Sequence, residues 1–306
     1  MSETNKPLCG FLNVLKPPGM SSAHVVGAVR RMLGGAKVGH AGTLDPEAAG
    51  VLPVMVGKAA RLFDYMQDKE KAYVTEIAFG AATDTQDAQG AVIETGDHYP
   101  DEAAILAGLE SMTGTILQTP PMYSAIKQDG KRLYELARDG KEAEVPAREV
   151  TVHELSLRSL TDHHGALVYV RCSKGFYVRT LCKDLGDRLG CPAHMRFLLR
   201  TQSGPFTLET ARTLEALKQA ADEGTLAHML LPPHAALGHL AMMDVPAGLE
   251  KAVINGGKLP WKRFAAALKD TAAEAGAPFG LWMDGALCAI AERQEERVKV
   301  RTWLGE

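Results

Sequence analysis

The chain has 306 residues, 46% of them hydrophobic and 23% charged, with a formal net charge of −3. That length suits about two domains, and the composition excludes a largely disordered chain, a collagen-like repeat and a disulfide-stapled miniprotein. No stretch approaches the roughly 18 consecutive apolar residues of a membrane span.

In chain order, Phe11 to Leu15 reads as a strand ending in the turn Lys16-Pro17-Pro18-Gly19. Ser21 or Ser22 can cap a helix whose Val25, Val26, Val29, Met32 and Leu33 share a face, and Gly34-Gly35 stops it. Val51 to Val56 is a short buried strand, Ala59 to Met66 a short helix, Tyr73 to Phe79 a strand and Ala103 to Met112 a helix. A charge-dense stretch at about 125–150 reads as a mobile insertion holding a short helix, Lys131 to Arg138. Val150 to Leu160 and Leu167 to Cys172 are expected strands. Val178, Leu181, Cys182, Leu185 and Leu189 form one helix face ended by Gly190. A strand around Met195 to Leu199 and a helix over Leu208 to Ala221 follow, then a connector from Leu231-Pro232-Pro233. The expected boundary lies near 238, giving a domain over 1–238 and a second over 239–306. Irregular interleaving of strands and helices favours an α+β fold with a mixed, mainly antiparallel sheet flanked by helices over a doubly wound sheet. In the second domain, a Gly256-Gly257 turn, strand-like runs at Leu281-Trp282-Met283 and Val298 to Trp303, and Asp284-Gly285 as a hairpin turn suggest a small β-rich unit, interrupted by a helical Trp261 to Ala273.

Five cysteines, without a CxxC pair, suit a reducing cytoplasm. The start of the chain lacks a secretion-signal pattern, and the histidines are not spaced as metal ligands. Charge is unevenly spread. Residues 76–124 hold eight acids and no Lys or Arg, residues 171–201 hold seven bases and two acids, and residues 1–75 hold nine bases and six acids. A basic face can therefore exist beneath an acidic average, although scattered solvated charge is the simpler account of such a distribution.

The densest motif is Gly39-His40-Ala41-Gly42-Thr43-Leu44-Asp45-Pro46, with Ala49-Gly50-Val51-Leu52-Pro53 after it. Its glycines permit tight turns and close approach, and Pro46 holds Asp45 out of helical geometry. On spacing alone, Asp45 as a turn cap is the commoner case. Cys172-Ser173-Lys174-Gly175-Phe176-Tyr177-Val178-Arg179 lies at a strand-to-helix junction, where Tyr177 and Arg179 are either packing and solvated residues or part of an anion site. Lys71-Ala72-Tyr73 places an aromatic at a strand start. There is no P-loop and no GxSxG elbow.

Taken together and in order, Asn13 to Ser22, the Gly39 to Pro53 loop, Lys71-Ala72-Tyr73, Thr83-Asp84-Thr85, Pro120 to Lys127 and Cys172 to Arg179 resemble the bacterial TruB-type tRNA pseudouridine-55 synthases. The resemblance spans about residues 10–205. It implies isomerisation of a uridine in the T-loop of tRNA to pseudouridine, without a cofactor or metal. Asp45 matches the family's catalytic aspartate, and Tyr73 the tyrosine that stacks on the target base and takes part in proton transfer. Tyr177 and Arg179 match the pair in the Lys-Gly-x-Tyr-x-Arg motif, whose arginine pairs with the catalytic carboxylate. His40 matches a histidine that packs against displaced nucleotides, Leu198 an apolar wall of the pocket, and Lys127 a lysine near the substrate backbone. Leu199 departs from the family, which often has a second basic residue beside Arg200. The C-terminal part resembles a PUA-type RNA-binding domain, with a structural cap on the catalytic domain as its alternative.

These matches set expectations. Arg179 reaches Asp45 and opposes the effect of burial on its carboxyl. The target base is flipped out and stacked on Tyr73, and His40 fills the gap. Basic segments flank the site while the acidic 76–124 block faces away. The expected protein is a cytoplasmic monomer that binds one tRNA by its T-arm. A synthase for another RNA site and an RNA-binding or RNA-folding protein without catalysis are the alternatives. A pure binder has no need of Asp45, Tyr73, Tyr177 and Arg179 together.

Overall fold

Val51 to Val56 is buried at every position, which demands neighbours on both faces of a strand. A computed structural model supplies them and describes residues 8–66, 70–121, 123, 127–128, 131–132, 145–265 and 276–305. The elements in order are β1 (Gly10–Lys16), α1 (Ser22–Met32), β2 (Val38–His40), β3 (Ala49–Val56), a 3-10 helix (Gly57–Met66), β4 (Lys71–Phe79), β5 (Ala81–Thr83), β6 (Val92–Thr95), α2 (Glu102–Ser111), β7 (Gly114–Gln118), β8 (Lys127–Gln128), β9 (Lys131–Arg132), β10 (Arg148–Thr161) and β11 (Gly165–Cys172). Then come α3 (Val178–Leu189), β12 (Ala193–Ser203), β13 (Phe206–Thr207), α4 (Leu214–Asp222), β14 (Met242–Asp244), α5 (Glu250–Ile254), α6 (Trp261–Ala265), β15 (Pro278–Met283), β16 (Ala286–Gln294) and β17 (Arg297–Trp303).

The main sheet runs β1-β3-β12-β4-β11-β10-β7, with β2 beside β3 and β13 beside β12. Every pairing is antiparallel except β12 with β3. This is the α+β architecture expected. Val25 and Val29 of α1 and Leu217 of α4 pack with Leu12, Val14, Leu52 and Val54 of the sheet. A separate cluster joins Ile105 and Leu109 of α2 and Leu181 and Leu185 of α3 to Ile77, Val168 and Val170. Helices thus flank the sheet.

The single parallel contact sets a tight requirement. Gly50 lies opposite Arg200 with φ +114°, and a Cβ there would stand 2.2 Å from the Arg200 carbonyl oxygen. Backbone cannot give way as a side chain can. Gly50→Ala is expected to destabilise the fold by about 3 kcal/mol or more, read as a lower midpoint in denaturant melts.

Several expected elements change form. The 57–66 segment is helical but 3-10. The expected 208–221 helix is broken, because Arg212 is drawn out to pair with β1: its N–H donates to Asn13 O at 2.8 Å and its carbonyl accepts from Leu15 N at 2.8 Å. Thr213 then caps α4 through Ala216 N. Lys131 and Arg132 stand in a two-residue strand rather than a helix, and the rest of that expected helix lies outside the described residues. The expected 261–273 helix is described only over Trp261–Ala265. β5–β6, β7 and β14 are strands that periodicity did not mark.

Residues 242–303 contribute a second sheet, β14-β15-β16-β17, with Asp284 (φ 52°) and Gly285 (φ 74°) turning the β15–β16 hairpin as expected. Its own core holds Trp261, Phe264, Phe279 and Leu281. It also shares a cluster with the main sheet: Leu287, Ile290 and Leu304 pack with Phe11, Leu62 and Phe206. Across that seam the Lys58 ammonium donates to the Gly305 carbonyl and Arg61 to the Trp303 carbonyl at 2.9 Å, while the Tyr65 and Thr302 hydroxyls lie 3.2 Å apart.

Candidate active site

Asp45 sits on the loop between β2 and β3, and the flanking peptides are held by named side chains. Ser21 caps α1 by accepting from His24 N, which leaves Ser22 free to turn inward. The Ser22 hydroxyl donates to Leu44 O at 3.1 Å and accepts from Leu44 N at 2.9 Å. After Asp45, the Pro46 carbonyl accepts from Lys16 Nζ at 2.7 Å, and the same ammonium donates to Pro17 O and Met20 O. Lys16 is fully buried. Burial pushes it down to about 8, against the pull of the Glu47 and Asp45 carboxylates. On the other flank Arg200, 1% exposed, donates to the carbonyls of Val51 (2.7 Å), Thr43 (3.3 Å) and Gly42 (3.3 Å). Such contacts offset the cost of burying the guanidinium.

Arg179 enters from the first turn of α3, its side chain 7% exposed. Its Nε lies 3.1 Å from Asp45 Oδ2 and its Nη2 3.3 Å from Oδ1, a two-point pairing that fixes orientation as well as charge. Nη2 also donates to Tyr123 O at 2.9 Å and Nη1 to Thr85 O at 3.4 Å, and Nη1 stands 3.9 Å from Asp87 Oδ2. Asp87 is held in turn by the Thr85 hydroxyl (2.7 Å) and Gln89 N (3.0 Å). Burial raises the Asp45 carboxyl above the usual carboxylate range. Arg179 and Lys16 oppose that rise and Asp87 adds to it. The expected pairing is present, but burial outweighs it.

Of the remaining expected residues, Tyr73 and Leu198 share a buried cluster with residues flanking this pair. Tyr73, in β4 beside Arg200 of β12, shares a buried cluster with Leu44, Ala48, Phe176, Val178 and Leu198. Leu198 stands between two irregularities in the β12–β4 register. Burial pushes the Tyr73 hydroxyl up to about 12, with the adjacent Arg200 charge partly offsetting it. His40 ends β2; burial, helped by the Arg200 charge, lowers its pKa, and its buried Nδ1 has no hydrogen-bond partner. Tyr177 occupies the N-cap of α3, and its peptide is gripped by Gln118: the Tyr177 N–H donates to Oε1 at 2.7 Å and its carbonyl accepts from Nε2 at 3.0 Å. Lys127 lies in β8, paired with β9; its side chain is outside the described residues. Among those residues no group of three or more His, Cys, Asp or Glu side chains is arranged to hold a metal ion, and no helix is long and apolar enough to cross a membrane.

Two charge expectations are corrected. The acidic 76–124 stretch does not face away as a block: Asp87 faces Arg179 from within the site, and Glu76 takes Arg196 at 2.8 Å. The basic 171–201 segment is not an open cationic track. Arg171 is paired with Glu70, Lys183 with Asp187 and Arg196 with Glu76, while Arg179 and Arg200 are internal. Arg200 is thus a buried brace for the Asp45 loop, and its position beside Leu199 does not make it a surface phosphate contact.

Comparison with known proteins bears on this arrangement. Residues 30–178 match the model for the TruB family pseudouridylate synthase N-terminal domain, and residues 179–238 that for the tRNA pseudouridylate synthase B C-terminal domain. The chain is 50% identical over 251 residues to the tRNA pseudouridine synthase B of Moorella thermoacetica, covering 81% of this chain and 82% of the relative. It belongs to the TruB family of pseudouridylate synthases. The Geobacter sulfurreducens tRNA pseudouridine synthase B is 42% identical over 285 residues, covering 92% of this chain and 93% of that protein. Among solved structures, a chain from a Cbf5-Nop10-Gar1 complex superposes with a TM-score of 0.74 at 26% identity, covering 96% of this chain and 83% of that one.

Within this TruB-family chain, sequence reading missed Lys16, Ser22, Asp87 and Gln118 as parts of the site. Lys16 and Ser22 stood in the matched Asn13 to Ser22 stretch, yet were read as a turn residue and a helix cap. Asp87 lies just beyond the matched Thr83-Asp84-Thr85. Gln118, two residues before the matched Pro120, carried no signal of its own.

Proposed function

We propose that uridine 55 in the T-loop of tRNA is the base this synthase isomerises, with Asp45 as the nucleophile and the target flipped into the pocket over Tyr73. The observation that carries this reading is the two-point Arg179–Asp45 pair on a loop braced at both neighbouring peptides. Its homologues named for pseudouridine synthesis in tRNA support the substrate class. The reaction breaks the bond between ribose C1′ and uracil N1, turns the base, joins C1′ to C5 and releases the C5 proton. A carboxylate that forms a transient covalent bond divides this into easier steps.

The neighbouring groups suit the task. Flipping a base costs a few kcal/mol, and stacking on an aromatic face returns about 1–3 kcal/mol. With its hydroxyl at about 12, Tyr73 is neutral at physiological pH, so it moves the C5 proton only by handing on its own. His40, kept uncharged by burial, can fill the vacated stack. Leu198 closes the pocket against water, Tyr177 stands at its edge, and Lys127 is assigned to the RNA backbone. The C-terminal sheet, as a PUA-like unit over 239–306, adds RNA-binding surface to the 1–238 catalytic domain. The working unit is a cytoplasmic monomer on one tRNA.

The test is tritium release from tRNA labelled with 5-³H-uridine. Release equivalent to a single uridine is expected from wild-type tRNA, and none when residue 55 is cytidine. Undiminished release from the cytidine-55 tRNA would refute the assigned target.

A further inference from the structure

Lys71 opens β4 two residues before Tyr73, so both side chains leave the strand on the same face. A Cβ built on Gly42 would lie 4.0 Å from Lys71 Cε and 3.8 Å from Arg200 Nη1. Lys71 therefore lies against the loop that carries Asp45, beside the arginine that braces it. The charges of Arg200 and Lys174 both bear on its ammonium. The adjacent acid, Glu70, is committed to Arg171 at 2.7 Å and His153 at 3.4 Å. Among the described residues no carboxylate pairs with Lys71. A half-buried ammonium among like charges is a costly arrangement for mere packing, since a neutral side chain would fill the space without electrostatic penalty. It becomes favourable when an anion arrives.

Position identifies the anion. Two residues of strand separate Lys71 from Tyr73 by about 7 Å, comparable to the reach from a stacked base to its own phosphate. We propose that Lys71 binds the phosphate flanking the displaced nucleotide. This rests on the proposed base flipping onto Tyr73. Lys71 is a binding residue: it holds the RNA backbone beside the displaced nucleotide and takes no part in bond rearrangement.

The experiment compares wild type, Lys71→Met and Lys71→Arg by tRNA affinity across a salt series and by single-turnover tritium release at saturating tRNA. Lys71→Met keeps the apolar stem and loses the charge. It should weaken affinity about tenfold and reduce the slope of log affinity against log salt by about 0.7–0.9, as for one lost phosphate contact. The saturated rate should stay within about threefold, and Lys71→Arg should restore affinity and slope. On the RNA side, a neutral methylphosphonate at one of the two linkages flanking the target should weaken wild-type binding to a similar degree and add nothing to Lys71→Met. An unchanged salt slope in Lys71→Met, or additive losses, would overturn the assignment. Should Lys71→Met fail to fold, wild type decides it: equal binding of charged and neutral linkages at both positions also overturns it. Wild type inactive on uridine-55 tRNA refutes the proposed function. Wild type active with an unchanged slope in Lys71→Met refutes the phosphate contact alone.

Discussion

Asp45→Asn is expected to lower tritium release by at least about 10⁴-fold, the scale on which enzymes lose rate with their nucleophile, while the protein stays folded and still binds tRNA. Asn has nearly the same shape. The loop is held by Ser22 at Leu44 and Lys16 at Pro46, neither of which touches the carboxylate. Arg179 keeps Tyr123 O, Thr85 O and Asp87. The pKa direction also predicts the effect on stability. Because folding raises the Asp45 carboxyl, the folded state holds the anion less readily than the unfolded chain does. The anion therefore costs stability that grows as pH rises from the unfolded carboxylate range through the raised folded value. Removing it at neutral pH should leave the thermal midpoint no lower than in wild type. Calorimetry beside the tritium assay checks both halves, and turnover within tenfold of wild type would remove Asp45 from the chemistry.

Arg179→Met should cost about 10²–10³-fold in single-turnover rate and move the pH profile in a defined direction. In wild type the rate should fall on acidification through the Asp45 pKa, above the ordinary carboxylate value of about 3.9, because burial raises it. Arg179 opposes that rise, so its removal shifts the acidic limb further up and leaves a larger fraction protonated near neutrality. Part of the lost rate then returns in alkaline buffer. Asp87 adds to the rise, so Asp87→Asn should move the limb the opposite way. Parallel shifts in both variants would mean that Asp45 is not the titrating group. The part of the Arg179→Met loss that high pH does not restore measures the lost two-point orientation of the carboxylate.

What could be read from the chain and what could not divide along physical lines. Asp45, Tyr73 and Arg179 stand out because they fall in motifs that resemble the family's; their local settings, a proline after Asp45, a strand start at Tyr73 and a helix start at Arg179, suit structural roles equally well. Most elements followed from periodicity, since burial of one face leaves a local trace. The supporting contacts leave none. Lys16 meets Pro46 across 30 residues and Gln118 meets Tyr177 across 59, and only the folded sheet brings them together. Summed charge failed for the same reason. Arg196 looked free in a basic segment, but its partner Glu76 is 120 residues away. The 208–221 helix was overextended because nothing local to Arg212 reveals that β1 takes its backbone.

The seam between the two sheets bears on how the C-terminal unit can be studied. Leu287, Ile290 and Leu304 cover Phe11 and Leu62, and Lys58 and Arg61 hold the backbone of the last strand and the residues after it. Truncation before residue 242 would strip this cover and lay bare greasy surface on the half that carries Asp45, so a shortened protein would report aggregation as readily as any weakened grip on RNA. Point changes on the outward side of β17 would leave the covered side intact and question the two roles separately.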